Sequence, residues 1–174
     1  MRDIRMQKWQ WAGAAATVAG VGAAFAQFTS SNKADEHAEH RPAAHAEMFA
    51  AGEPADPKKN FRVVELAMTE GSGTMAFLPN TVEVKAGEQI KFVIKNTGAL
   101  DHEFKLDSFE QIAKHKIAME RNPEMVHDDP NGTRLEPSKS GEVLWRFSKV
   151  GIFEFACLIP GHYEAGMHGK VVVK

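Results

Sequence analysis

Cysteine is all but missing from this chain of 174 residues: Cys157 stands alone, so no internal disulfide can form. No cysteine near the start offers a lipid attachment point, and no Arg-Arg pair marks a twin-arginine export route. Long apolar runs are missing too. The longest, near the N-terminus, is shorter than the roughly 20 residues a membrane span requires. Neither sign of charge prevails: 21 Lys and Arg against 23 Asp and Glu give a net charge of −2, so neither nucleic acid nor an anionic membrane is an expected partner. The pattern also lacks any alternation of strands with helices, which argues against a parallel α/β sheet.

What is present divides into three stretches. Arg2, Arg5 and Lys8 precede an Ala/Gly/Val-rich run over 11–24, and Ala24-Phe25-Ala26 has the small-x-small form of a cleavage site. Residues 1–26 therefore have the form of a signal peptide, implying export to a bacterial periplasm and no membrane attachment after cleavage. In that oxidising compartment an unpaired thiol is a liability unless something occupies it. Residues 27–60 are rich in Ala, Glu, His and Pro with few core formers, the composition of a flexible arm. His37, His40, His45 and Met48 make it a candidate accessory metal collector; the plainer reading is a solvated linker.

Residues 61–174 are expected to form the folded domain. Alternating segments at 61–68, 81–85, 89–96 and from His102 onward are separated by Gly71-Ser72-Gly73, Pro79-Asn80, Ala86-Gly87 and Asn96-Thr97-Gly98, with a short edge segment over 75–79. Further strands are expected over 142–147 and on either side of a loop after Gly151, which predicts an all-β antiparallel sandwich of one domain. Its 43% apolar content is enough to build a core. Ser108 and Gln111 have capping-box spacing at the head of one inserted helix over 109–120, stopped by Asn122-Pro123, followed by a long loop over 121–133. His115 and Met119 lie four residues apart on that helix, and Met125 and His127 follow it. Together they are candidates for a second metal site, although packing by Ile112 and Met119 explains the helix as well.

The chemistry concentrates in GIFEFACLIPGHYEAGMHGKVVVK, residues 151–174. A strand delivers Cys157 into a Pro/Gly-rich loop that presents His162 and Met167 before a second strand closes it. With His102 from an earlier strand end, the set is one thiolate, two imidazoles and one thioether. A His₂Cys plane with a weak axial Met suits a single copper ion in either oxidation state. Zinc would more usually recruit a carboxylate in place of the thioether. A dinuclear copper centre needs a second cysteine on the loop, and a multicopper oxidase needs further His clusters such as His-x-His pairs; neither is present.

The runs TVEVKAGEQIKFVIKNTGALDHEF, from Thr81, and GIFEFACLIPGHYEAGMHGKVVV, from Gly151, resemble the two halves of a cupredoxin of the plastocyanin/azurin type. The resemblance covers 61–174 and implies the Greek-key sandwich of that fold. It also implies that His102, Cys157, His162 and Met167 are the copper ligands, with His162 as the solvent-edge electron port beside Leu158, Ile159 and Pro160. Glu103 stands where plastocyanin and azurin carry Asn. That departure, the insertion after Asp107 and the His/Met-bearing arm resemble the periplasmic copper-tolerance cupredoxins. Two functions are expected from the resemblance. One is copper handling in tolerance, with copper ions as the partner. The other is a soluble electron carrier exchanging with a redox protein such as a c-type cytochrome. Neither is enzymatic, with oxidation of cuprous ion the one reaction left open.

Overall fold

The computed structural model describes residues 49–125 and 128–174. Ten strands and one helix follow in order: β1 (Glu53–Pro54), β2 (Arg62–Glu70), β3 (Met75–Leu78), β4 (Thr81–Val84), β5 (Gln89–Asn96), β6 (His102–Asp107), α1 (Phe109–Arg121), β7 (Gly132–Leu135), β8 (Ser140–Arg146), β9 (Gly151–Ala156) and β10 (His168–Val173). They form two five-stranded sheets, ordered β1-β8-β5-β2-β3 and β4-β10-β9-β6-β7. Because the chain crosses between sheets, two pairings, β2 with β5 and β4 with β10, are parallel, and the remainder are antiparallel. The expected sandwich is therefore present with mixed sheets.

The alternation that predicted the strands also fills the space between the sheets. Ile90, Phe92 and Ile94 on β5 face Phe104 and Leu106 on β6 and Phe153 and Phe155 on β9 within one core. Phe155 stacks on Phe104 at 5.5 Å and meets Phe77 edge-on at 5.2 Å. Each such pair adds about 1 kcal/mol beyond simple burial. Trp145 is a core residue, as expected, and Phe49 packs edge-on against it at 5.2 Å.

Two sequence expectations meet a different arrangement. Residues 49–60, assigned by composition to the arm, lie on the sandwich. Phe49 and Ala51 are buried, β1 pairs with β8, and Arg146 bonds Glu53 through its Nε at 2.7 Å. The loop expected over 121–133 gives way at Gly132 to β7, which pairs with β6. Asn131-Gly132 has the composition of a turn. Yet Asn131 is fully buried and donates from its side chain to the Leu106 carbonyl at 2.7 Å, anchoring the strand start.

The helix begins where its cap predicts: the Gln111 N–H donates to Ser108 Oγ at 3.3 Å. It lies against β6 and β9, with Ile112 and Met119 packed on Ala156 and Leu158. This cover explains why β6 is buried on both faces. Glu103, Lys105 and Asp107 occupy the alternate positions of that strand and are as hidden as the core residues between them. Lys105 Nζ is satisfied by Asp129 Oδ2 at 2.5 Å and Asn131 Oδ1 at 2.9 Å, the pairing a buried ammonium requires.

Candidate metal centre

One end of the sandwich gathers the donors. His102 opens β6, Cys157 follows the last residue of β9, and His162 and Met167 lie on the loop that leads into β10. Main-chain bonds hold this loop in shape: the His162 N–H donates to the Ile159 carbonyl at 3.0 Å, the Met167 N–H to the His162 carbonyl at 3.1 Å, and the Cys157 N–H to the Met167 carbonyl at 3.0 Å. Gly166 takes a φ of +100°, a conformation side chains rarely adopt, where the loop turns back beside the Met75 carbonyl.

Across sequence gaps of five to sixty residues, the donor atoms of His102, Cys157 and His162 all lie within 4.8 Å of one another. The two Nδ1 atoms are 3.2 Å apart, and Cys157 Sγ is 3.3 Å from His162 Nδ1. His102 and Cys157 are fully buried, Met167 likewise, while His162 is half-buried. Burial pushes the Cys157 thiol up to about 12, opposed by the Glu103 N–H, which donates to Sγ at 3.2 Å. Burial, followed by the neighbouring His102, holds His162 below the ordinary histidine range, which keeps its imidazole neutral and able to donate a lone pair. Two imidazole nitrogens and one sulfur converging at one largely buried point are a donor set that fits copper.

His102 is fixed from behind. Its Nε2 meets Glu70 Oε1 at 2.9 Å, and the same carboxylate oxygen accepts the Leu100 N–H at 2.8 Å. The Leu100 bond and then His102 hold the Glu70 carboxyl below its usual range. Sequence reasoning missed Glu70. The only available signal was a carboxylate at the end of β2, immediately before Gly71-Ser72-Gly73.

Among the described residues, the other sequence candidates are not brought together. His37, His40, His45, Met48 and His127 lie outside the described residues. Met119 is buried in the apolar cluster under α1, with Met125 against it, and the two border a cavity together with Glu103 and Ile159. His115 lines a different cavity, beside Phe49 and Asp107. Leu158, expected in a surface patch around His162, is buried in the same cluster as Met119, leaving half-buried Ile159 and exposed Pro160 at the surface.

A two-sheet sandwich that ends in a buried thiol between two imidazoles is a cupredoxin, and copper is its metal. The chain belongs to the copper binding proteins of the plastocyanin/azurin family, whose sequence profile matches residues 64–174. It is 42% identical over 156 residues to the copper-resistant cuproprotein CopI of Rubrivivax gelatinosus, spanning 88% of this chain and 93% of that protein. To the copper-resistant cuproprotein CopI of Pseudomonas aeruginosa it is 37% identical over 160 residues, covering 75% and 85%. Among solved structures, auracyanin B superposes with a TM-score of 0.53 at 25% identity, over 64% of this chain and 88% of that one. The protein is accordingly a copper-handling type 1 copper protein.

Proposed function

We propose that this protein is exported to the periplasm and acts there in copper tolerance, holding one copper ion through His102, Cys157, His162 and Met167. What supports this reading is the convergence of three soft donors at one buried point, in a chain alike over nearly its whole length to proteins named for copper resistance. Bound there, copper supplies a one-electron Cu(I)/Cu(II) couple. The chain's own residues prepare the place. Glu70 orients His102, the Glu103 N–H stabilises charge on the Cys157 sulfur, and the loop bonds of His162 and Met167 limit rearrangement of the donors. Met167 supplies a weak thioether to this set. Residues 1–26 act as the export signal, and His37, His40, His45 and Met48 add lower-affinity capture ahead of the sandwich.

Growth on graded copper tests the role. A strain lacking the gene is expected to be more copper-sensitive than its parent, and equal resistance would remove the tolerance reading. Copper content tests the arm. The full mature chain is expected to bind more than one copper, falling to one when residues 27–48 are removed. That truncation stops short of Phe49 because Phe49 and Ala51 belong to the core.

A second reading, a soluble electron carrier, draws on the half-buried state of His162 beside Ile159 and Pro160, which leaves a short path from the donors to the surface. It predicts one copper per chain, rapid exchange with a c-type cytochrome, and an unchanged copper tolerance when the gene is lost.

A further inference from the structure

Glu70 has no counterpart among the four metal donors, yet it is built into their support. It ends β2, in the sheet opposite the one that carries the donors, and its carboxylate reaches across to His102, whose ring is wholly buried. The oxygen that meets His102 Nε2 at 2.9 Å is itself positioned by the Leu100 N–H at 2.8 Å, so the carboxylate is held from two sides. The chain also leaves room for it. A Cβ added at Gly98 would fall 2.2 Å from Glu70 Oε1 and 3.1 Å from His102 Nε2, so any side chain there would displace the carboxylate.

Two consequences follow from elementary chemistry. A carboxylate can only accept, so Nε2 of His102 must carry the proton, and Nδ1 is left with its lone pair facing Cys157 and His162. Glu70 is partly open to solvent, and the carboxylate that accepts from both the Leu100 N–H and His102 places its negative charge against the outer edge of a ligand ring. A negative charge there makes the ring a stronger donor and favours the more highly charged metal state. We infer that Glu70 is a positioning residue that fixes the tautomer of His102 and, through its charge, sets the balance of the site toward Cu(II). The inference rests on His102 being a ligand, as proposed above.

The test uses the full mature protein with Glu70→Gln, which keeps an acceptor oxygen but removes the charge. Gly98→Ala is the second variant; it keeps the carboxylate but pushes it off the ring. Both are loaded with copper, and the Cu(II)-to-Cu(I) affinity ratio is read from the reduction potential in a spectroelectrochemical titration. The thiolate-to-copper absorption band confirms the centre. With one copper and the band retained, Glu70→Gln is expected to lower the ratio about tenfold, a rise of about 59 mV for one electron. Gly98→Ala is expected to move it in the same direction. In the metal-free parent, nitrogen-15 NMR is expected to show His102 protonated at Nε2 with slow exchange, and Gly98→Ala to speed that exchange.

Ratios within twofold of the parent in either folded variant, or a shift toward Cu(II), would overturn the inference while leaving the copper site intact. Should Glu70→Gln fail to fold, Glu70→Ala, which removes the carboxylate without crowding the ring, decides with Gly98→Ala. A control separates the two levels: if His102→Ala leaves the absorption band and the copper affinity unchanged, the ligand assignment itself is wrong.

Discussion

At the ligand pole, His162 and Met167 lie five residues apart on a loop. On α1, His115 and Met119 lie four residues apart on a helix face. In residue type the two pairs look alike. In the fold they differ completely. The loop has main-chain bonds from Cys157, His162 and Met167 that hold its shape, and Cys157 and His162 converge with His102 on one point. The helix has a single apolar face with which to hold itself on the sandwich. Met119 is used for that, pressed with Ile112 onto Ala156 and Leu158, while His115 borders another cavity. Spacing alone does not assemble a donor set: the atoms that converge come from β6, the end of β9 and the loop beyond it, not from one helix face.

Substitution at the two regions should therefore separate copper binding from folding. The largest effect is expected from Cys157→Ser: complete loss of the thiolate-to-copper band and of stoichiometric copper retention, measured by absorption and metal analysis. The metal-free protein should still fold. Met119→Ala should do the reverse, lowering stability by about 3 kcal/mol in urea denaturation of the metal-free protein and leaving the copper band of the loaded protein in place. A lost band in Met119→Ala with unchanged stability would erase the distinction between the regions.

Beneath the helix, Lys105→Met removes the ammonium that joins Asp129 and Asn131. It should cost about 2 kcal/mol by the same denaturation, again without loss of copper. The smallest effect concerns pH. With the Cys157 thiol raised to about 12, metal uptake near neutrality must release its proton, whereas His162, lowered from the ordinary value, has little proton to give up above pH 7. Copper affinity in competition with a chelator should then rise about tenfold per pH unit between about pH 7 and 8.5, a slope of one proton. A slope near two would mean that a histidine is protonated in the metal-free site.

The same thiol makes a stability statement with a definite sign. Its folded pKa lies above the ordinary thiol value of about 8.5, so the neutral buried group contributes fully below about pH 8.5. That contribution is lost as pH rises toward about 12. Metal-free Cys157→Ser should lack this alkaline decline.

Much of the fold was legible because its signals are local. Alternation over 89–96 predicts β5 to the residue, and Ser108 predicts the start of α1. The donor loop is legible for the same reason, with Cys157, His162 and Met167 within eleven consecutive residues and flanked by two alternating strands. Composition misplaced residues 49–60, since Phe49 and Ala51 are too few to mark a core segment by pattern; what buries them is Trp145 and the edge of β8. Strand β7 was hidden by Asn131-Gly132, a pair that means turn until a buried partner claims the asparagine side chain.

By itself the sequence determined the sheet periodicity, helix α1, and which residue types a metal could find: a lone thiol cannot pair with another, and a loop with His and Met beside it has soft donors to offer. Only the tertiary structure decided that His102 meets that loop, that the polar positions of β6 are buried under α1, and that Glu70 stands behind the ring. Those contacts join residues 24 to 60 positions apart, and no local preference of the chain encodes a distance between sheets. It is the closing of two sheets over a shared aromatic core that brings them within bonding range.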